Sequence, residues 1–245
     1  MRQMNGIEKL DNTVLSRLAV DLLRRSIVHY GIWFNEVDHQ LGLEKALQIE
    51  DEVFTRFYPL VIKRLSSILG FAVDNELPLA LLGLPREKIV SLIDAISVNW
   101  LAGDGLWFQA VEARQEMFTA KRCNDTCWIK FSPFEASRIK AMLELPDNGG
   151  LDALETALGY RLYSRINTQS TERQGDNLIF KMVNCKVQDA RRRKGLNDYP
   201  CKSAGVVEYT CFAQAIDPRI RTDCIACPPD NLPGDWFCAW KFSIA

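Results

Sequence analysis

The hydrophobic pattern of this chain changes at about residue 150. Before that point, apolar residues such as Val14, Leu18 and Leu22 recur every three or four positions, which is the period of an amphipathic helix. After it come short runs rich in β-branched and aromatic residues, separated by turn-forming residues. The pattern predicts an α+β fold in which a helical block, residues 1–150, precedes a small antiparallel sheet with a helix packed across it, residues 151–245. We expect the two regions to form one compact unit.

Glycine and proline residues divide both regions into elements. In the helical block, helices are expected over 11–41, over 44–69, from 85 with a joint at 103–105, and over 133–145. In the second region, we expect a hairpin of 160–168 with 178–187, a helix over 203–215, and strands over 220–225 and 236–244.

The cysteines are concentrated near the end of the chain, where six of the eight lie between positions 185 and 238. The first residues are polar and secretion is not expected, so thiols at this density favour a metal or iron–sulfur site over a disulfide framework. Cys224 and Cys227 form a pair at a tight turn, Cys238 follows, and Cys201 begins a predicted helix whose dipole favours a thiolate. These four are the expected ligands, with Cys185 as a substitute or fifth ligand.

Two cofactors suit four cysteine ligands. Zinc is the expected one, and a [4Fe–4S] cluster is the alternative. The alternative without a metal is a set of buried, reduced cysteines in a small β core.

Tryptophan residues lie beside carboxylates in the helical block. Segments 31–38 and 105–112 resemble each other, and each contains a Trp-Phe pair with acidic residues close by. Aromatic residues with a few carboxylates suit an apolar small-molecule pocket with polar anchors, whereas the other interpretation is buried tryptophans beside solvated acids. The expected pocket residues are Trp33, Glu36, Trp107, Glu112 and Asp125.

Charge and hydropathy limit the expected partners. The formal net charge of −1 gives no indication of nucleic acid or of an anionic membrane. The first residues are polar, and the apolar run at 77–84 is too short to span a membrane. We therefore expect a cytoplasmic protein with a small-molecule ligand or substrate, and a homo-oligomer is left open. The basic run at 191–194 is expected to be a solvated loop or a contact for a carboxylate or phosphate.

Short motifs extend over nearly the whole chain. They include Trp33 and Trp107-Phe108 in the helical block, and then Cys185-x-x-Gln188, Pro200-Cys201-Lys202, Cys224-x-x-Cys227-Pro-Pro-Asp230 and Cys238-x-Trp240-x-Phe242. In these motifs the chain resembles an uncharacterised prokaryotic family that is similar to aminothiazoline-carboxylic-acid hydrolases. The tail is also similar to the vinyl-reductase-type small-molecule-binding domain. The resemblance implies a hydrolase of a small cyclic amidine or amide, a non-catalytic small-molecule sensor or carrier, or an iron–sulfur protein. It transfers no catalytic residue to this sequence.

Overall fold

The computed structural model describes residues 6–232 and 234–244 of the chain. Within these ranges the protein is α+β, with eight α-helices, a two-stranded sheet and a four-stranded antiparallel sheet. The chain divides into two compact units, Met1–Leu79 and Ala80–Ala245. This division differs from the expected change of structure at residue 150, and that expected domain boundary stays a prediction.

The first unit is a helical hairpin. Helix α1 (Asn12–Leu41) and helix α2 (Leu43–Leu69) are separated by Gly42, as expected. Gly42 has a φ of 88°, which glycine adopts without the steric cost that a Cβ would bring. A short hairpin of β1 (Val73–Asp74) and β2 (Leu77–Pro78) follows, and helix α3 (Leu79–Leu82) begins at the last residue of this unit.

The two long helices of this hairpin bury few side chains. Ala46 is the only buried residue in α1 and α2, while Ile27 is 73% exposed and Ile68 is 79% exposed. Contact between the helices includes a hydrogen bond of 3.0 Å from the Tyr30 hydroxyl to Glu50. The hairpin therefore leaves most of its large apolar side chains open to solvent.

The second unit contains the remaining elements. Its helices are α4 (Arg86–Gln115), α5 (Met117–Leu143), α6 (Gly150–Leu158), a short 3-10 helix (Leu162–Arg165), α7 (Lys186–Arg193) and α8 (Lys202–Ile216). Its strands are β3 (Thr168–Gln174), β4 (Asn177–Asn184), β5 (Ile220–Ala226) and β6 (Cys238–Ile244), in the order β3-β4-β6-β5.

Helix α8 covers one face of this sheet, as the sequence predicted. Strand pairing places Phe180 opposite Trp240 and Cys224 opposite Trp240, so these side chains share a face. Tyr209 of α8 stacks on Trp240 with ring centroids 4.8 Å apart. Helix α5 packs on α8 from the far side, and buried residues of α5, α6, α8 and the sheet form one hydrophobic core.

The expected joint at 103–105 is wrong, because α4 continues through both glycines. The helical path breaks instead at Glu116, whose φ is 118°. Pro133 also lies inside α5 and does not begin a new helix. Packing of two long helices against each other compensates for the low helix propensity of glycine and proline at these positions.

The expected hairpin is only partly correct. Strand β4 is present, but its partner is β3, and most of 160–168 forms a turn and the 3-10 helix. Helix α7 was not predicted, since its basic sequence was expected to be a loop.

One helix in the described part of the chain, α4, is long and apolar enough to cross a membrane when length and composition alone are considered. Its most apolar window has a mean hydropathy of 1.3 and is 6% buried. A core helix of a soluble protein can have the same composition. Trp100 of α4 packs against Trp128 of α5 and Tyr163, so part of this helix contacts the rest of the second unit.

Candidate functional site

A large cavity lies within the second unit. Its volume is about 1030 Å³, and its walls come from α4, α5, α7, α8, β4 and β6. Aromatic side chains form much of the lining, among them Trp128, Tyr163, Tyr209 and Trp240. Small-molecule sites in proteins have this size and a mainly apolar lining with a few polar groups.

The close approach of α8 to the sheet sets one wall of the cavity. A Cβ placed on Gly205 would lie 2.5 Å from Cζ2 of Trp240, so only glycine allows the helix to approach the indole this closely. Trp240 is 1% exposed, and its Nε1 has no hydrogen-bond partner among the described residues. Trp240 is therefore a cavity-lining residue whose indole N–H is a buried donor without a partner in the described ranges.

Three buried charged residues, Arg161, Glu135 and Glu208, form a cluster, and Glu208 is the member of it that lines the cavity. Arg161 is 2% exposed and donates from Nε to Oε2 of Glu135 at 2.8 Å. Its Nη1 lies 2.8 Å from Oε1 of Glu208, a cavity-lining carboxyl on α8. The guanidinium also lies over the ring of Phe212, with 4.5 Å to the centroid. One buried cation thus faces two buried carboxyl groups.

The two carboxyl groups of this cluster are held differently. Glu135 accepts hydrogen bonds from Arg161 Nε and from the backbone N of Leu162 at 2.9 Å. Glu208 has the charge contact with Arg161, but its Oε1 has no aligned hydrogen bond among the described residues. Burial raises the pKa of Glu208 to about 7, Arg161 opposes the rise, and Glu135 and Asp104 add to it. Glu208 is therefore the carboxyl that gains a proton near neutral pH.

Four of the five expected metal-binding cysteines line the same cavity. They are Cys185, Cys201, Cys227 and Cys238. The Sγ atoms of Cys201 and Cys227 are 3.5 Å apart, and Cys227 also contacts the thiol of Cys238. Cys224 does not line the cavity, although it packs against the edge of the hydrophobic core. The fold therefore brings together three thiols, with Cys185 close by.

The environment differs between these thiols. A hydrogen bond from Cys227 lowers the pKa of Cys201 against the effect of burial, and Gln188 Nε2 donates to the same sulfur at 3.5 Å. The pKa of Cys227 is raised, because it shares hydrogen bonds with Cys201 and Cys238 and is buried. Burial raises the pKa of Cys185 to about 12 and that of Cys224 to about 11. Of Cys185, Cys201, Cys224 and Cys227, Cys201 is thus the thiol whose pKa is lowered, which favours its thiolate form.

These thiols do not form a ready metal site. In residues 6–232 and 234–244, no three histidine, cysteine, aspartate or glutamate side chains converge in a way that could hold a metal ion. Cys201 and Cys227 face each other as hydrogen-bonding partners. The donor chemistry suits zinc or iron, but coordination would require the sulfurs to turn towards a common centre. The expected zinc or [4Fe–4S] ligands stay a prediction.

The expected pocket residues are spread over the chain. Glu112 lines the cavity. Trp107 is 77% exposed and does not line the cavity. Asp125 follows the lining residue Asn124 in the chain, and its Oδ1 is buried without a hydrogen-bond partner in the described ranges. Trp33 and Glu36 lie in α1 of the first unit, where both are exposed. Of the five, the structure therefore places Glu112 at the cavity.

Several cavity residues were not expected from the sequence. Glu208 and its partner Arg161 lie 47 positions apart, and no local spacing marks them as a pair. Asn167 is buried and lines the cavity, with its Nδ2 unpaired among the described residues. A signal was available for Trp240, because Cys238-x-Trp240-x-Phe242 alternates as a strand with one buried face.

Comparison with known proteins identifies a family but no activity. The model of a family of unknown function, DUF6125, matches residues 8–82 and 82–244. No curated protein and no solved structure matches the chain. The resemblance to aminothiazoline-carboxylic-acid hydrolases and to the vinyl-reductase-type domain stays a prediction. Because the match extends over most of its length, the chain belongs to the DUF6125 family.

Proposed function

We propose that this protein binds a small organic molecule in the cavity of its second unit. The observation that carries the proposal is an aromatic cavity of about 1030 Å³ whose lining residues include Trp240, an indole with a buried and unpaired Nε1 among the described residues. Roughly nine in ten buried polar groups of proteins have a hydrogen-bond partner, so a bound molecule with an acceptor atom is the natural partner here. The aromatic rings would contact its apolar body.

Titration with N-phenyl-1-naphthylamine tests this proposal. This uncharged probe becomes fluorescent when it leaves water for an apolar site. We expect saturable binding with one probe per chain. A linear response, or no response at all, would count against a binding cavity.

Two matched variants locate the probe. Ala190 lines the cavity and Ala113 is an exposed residue of α4 outside the lining, so Ala190→Phe fills the cavity while Ala113→Phe adds the same ring elsewhere. Ala190→Phe should weaken binding by about tenfold or more, equivalent to about 1.4 kcal/mol, and Ala113→Phe should leave it unchanged. Circular dichroism checks that both variants keep their helices. Equal affinities for the two folded variants would place the probe outside this cavity.

Hydrolysis of a small cyclic amidine or amide is the catalytic form of the same proposal. Glu208 is the observation that favours it, because a cavity-lining carboxyl with a pKa of about 7 can donate or accept a proton near neutral pH. The test is turnover of 2-aminothiazoline-4-carboxylic acid by the wild type and by Glu208→Gln. Turnover that Glu208→Gln abolishes supports a hydrolase, and no turnover by the wild type supports a binding protein.

Metal binding at the thiols is a second candidate function. Bonds of about 2.3 Å to a tetrahedral zinc ion place two sulfurs roughly 3.8 Å apart. The 3.5 Å between Cys201 and Cys227 is close to that separation, and Cys238 is the neighbouring donor. Metal analysis and an absorption spectrum after anaerobic purification test this candidate. Stoichiometric zinc without colour, or iron with absorption near ~400 nm, should be lost in Cys227→Ser and kept in Cys123→Ser.

A cytoplasmic location is part of the proposal. All eight cysteines are free, and thiols persist in the reducing environment of the cytoplasm.

A further inference from the structure

The cavity has a basic edge that comes from α7 and the residues next to it. Lys186, Arg193 and Lys194 all line the cavity. In the part of the chain that the structure describes, none of the three has an acidic side chain within ion-pair distance. Arg192 of the same helix differs, because its Nε and Nη2 pair with the Asp198 carboxylate at 2.8 and 2.7 Å. The three cavity-lining cations are therefore available to a bound molecule.

A buried amide lies next to this basic edge. Asn167 is 8% exposed, and its Oδ1 accepts a hydrogen bond of 2.9 Å from the backbone N of Lys186, the first residue of α7. This bond fixes which end of the amide is the oxygen, because only oxygen can accept it. The Nδ2 group is then a buried donor, and it has no partner in the described ranges. A ligand with an oxygen atom near α7 would satisfy it.

The acidic residues of the cavity do not neutralise the positive charge of the basic edge. Asp104, Glu112 and Glu208 line the cavity, and they come from α4 and α8, whereas the basic edge comes from α7. Burial raises the pKa of Asp104 as well as that of Glu208. Arg191 and Arg165 also line the cavity, but Arg165 pairs with Asp94 at 2.7 Å. Among the described residues, the lining therefore has four cationic residues without an acidic partner and three acidic ones.

We propose that the cavity takes an organic anion: an apolar, ring-sized or larger body that carries a carboxylate or a similar oxyanion. The oxyanion lies at the α7 edge against Lys186, Arg193 and Lys194, and one of its oxygens accepts from Asn167 Nδ2. The body extends towards Trp128, Tyr209 and Trp240. This inference depends on the proposed function, since it states which class of molecule the cavity binds.

Calorimetric titration with a set of matched probes tests the charge requirement. The probes are 2-naphthoate, 2-naphthamide and 2-naphthylmethylammonium, which share one ring system and differ in the charge of the substituent. We expect 2-naphthoate to bind about tenfold tighter than the amide, and the ammonium probe to bind weakest. Affinity for 2-naphthoate should fall when NaCl is raised from 50 to 500 mM, because salt screens exposed cations. Decanoate and decanamide repeat the comparison with an aliphatic chain in place of the naphthalene ring. They show whether the cavity prefers an aromatic or an aliphatic carboxylic acid.

Two variants and a control test the named residues. The double change of Arg193→Gln and Lys194→Gln should weaken 2-naphthoate binding about tenfold and leave 2-naphthamide binding unchanged. Asn167→Asp keeps the acceptor for Lys186 but replaces the free donor with an oxygen, and it should also weaken 2-naphthoate binding. Arg221→Gln removes an exposed cation outside the lining and should have no effect.

The outcomes separate this inference from the proposed function. If N-phenyl-1-naphthylamine binds but 2-naphthoate binds no tighter than 2-naphthamide, the cavity binds small molecules and the anion proposal is wrong. Tighter binding of the ammonium probe also overturns it, since the acidic residues then dominate. If neither the neutral probe nor any naphthalene derivative binds, both proposals fail.

Discussion

Glu208→Gln provides the most direct test of how the buried charge cluster is built. Arg161 faces both Glu135 and Glu208, so one positive charge must balance two carboxyl groups away from water. The pKa of Glu208 rises from 4.5 to about 7, chiefly because of burial. Ionising such a carboxyl in the folded protein costs roughly 3 kcal/mol relative to the unfolded chain, at about 1.4 kcal/mol for each pH unit.

The sign of the pH dependence follows from where the proton is held. Between about pH 4.5 and pH 7 the folded protein keeps a proton on Glu208 that the unfolded chain has already lost. Stability therefore falls as pH rises through this window, and the loss is complete above about pH 7. Glu208→Gln has no proton to lose and keeps nearly the same shape. The stability of wild type relative to this variant should fall by roughly 3 kcal/mol from pH 4.5 to pH 8.

Urea unfolding at several pH values measures this difference. Tryptophan fluorescence and circular dichroism should be followed together, because coincident transitions are needed for a single free energy of unfolding. Glu87→Gln, a change at an exposed residue of α4, serves as the control and should show the pH dependence of the wild type. A constant difference between wild type and Glu208→Gln across this range would refute the reasoning. It would mean that Glu208 is ionised throughout and that Arg161 balances both carboxylates.

Three further predictions concern packing, a buried carboxylate and thiol accessibility. Gly205→Ala should lower the free energy of unfolding by roughly 1–3 kcal/mol and alter tryptophan fluorescence, because its Cβ would overlap Trp240, and an unchanged urea midpoint would contradict this contact. Asp217→Asn should cost roughly 2–3 kcal/mol at pH 7, since this fully buried carboxylate accepts several hydrogen bonds, and a change of less than ~0.5 kcal/mol in the same assay would contradict it. Iodoacetamide labelling followed by mass spectrometry should modify exposed Cys123 in the native protein and Cys227 only after unfolding, whereas equal rates would show that Cys227 is accessible.

The regular elements were largely predictable from local patterns. Gly42 and Gly70 end α1 and α2 as expected, and the helix α8 and strands β5 and β6 lie where their periodicity predicted. Gly70 is in the left-handed conformation, which is the usual reason for glycine at a helix end. Local chemistry controls these positions, so a short window of sequence is sufficient.

Local signals gave the wrong result where packing outweighs propensity. Gly103 and Gly105 lie inside α4, and Pro133 lies inside α5, because contacts along both helices stabilise them more than these residues destabilise them. Helix α7 was missed for a related reason. Its basic sequence has no apolar stripe, and its position is set by contacts such as the two hydrogen bonds of 2.8 Å between Gln188 and Tyr199.

The sequence alone determined the fold class, most helices and strands, and the concentration of thiols near the end of the chain. Only the tertiary structure decided which thiols meet, since Cys227 contacts both Cys201 and Cys238 while Cys224 does not line the cavity. It also paired Arg161, which precedes the 3-10 helix, with Glu135 of α5 and Glu208 of α8. Periodicity reports which face of an element is buried, but the partner across the core depends on how distant segments pack. The cavity and its basic edge arise from that packing.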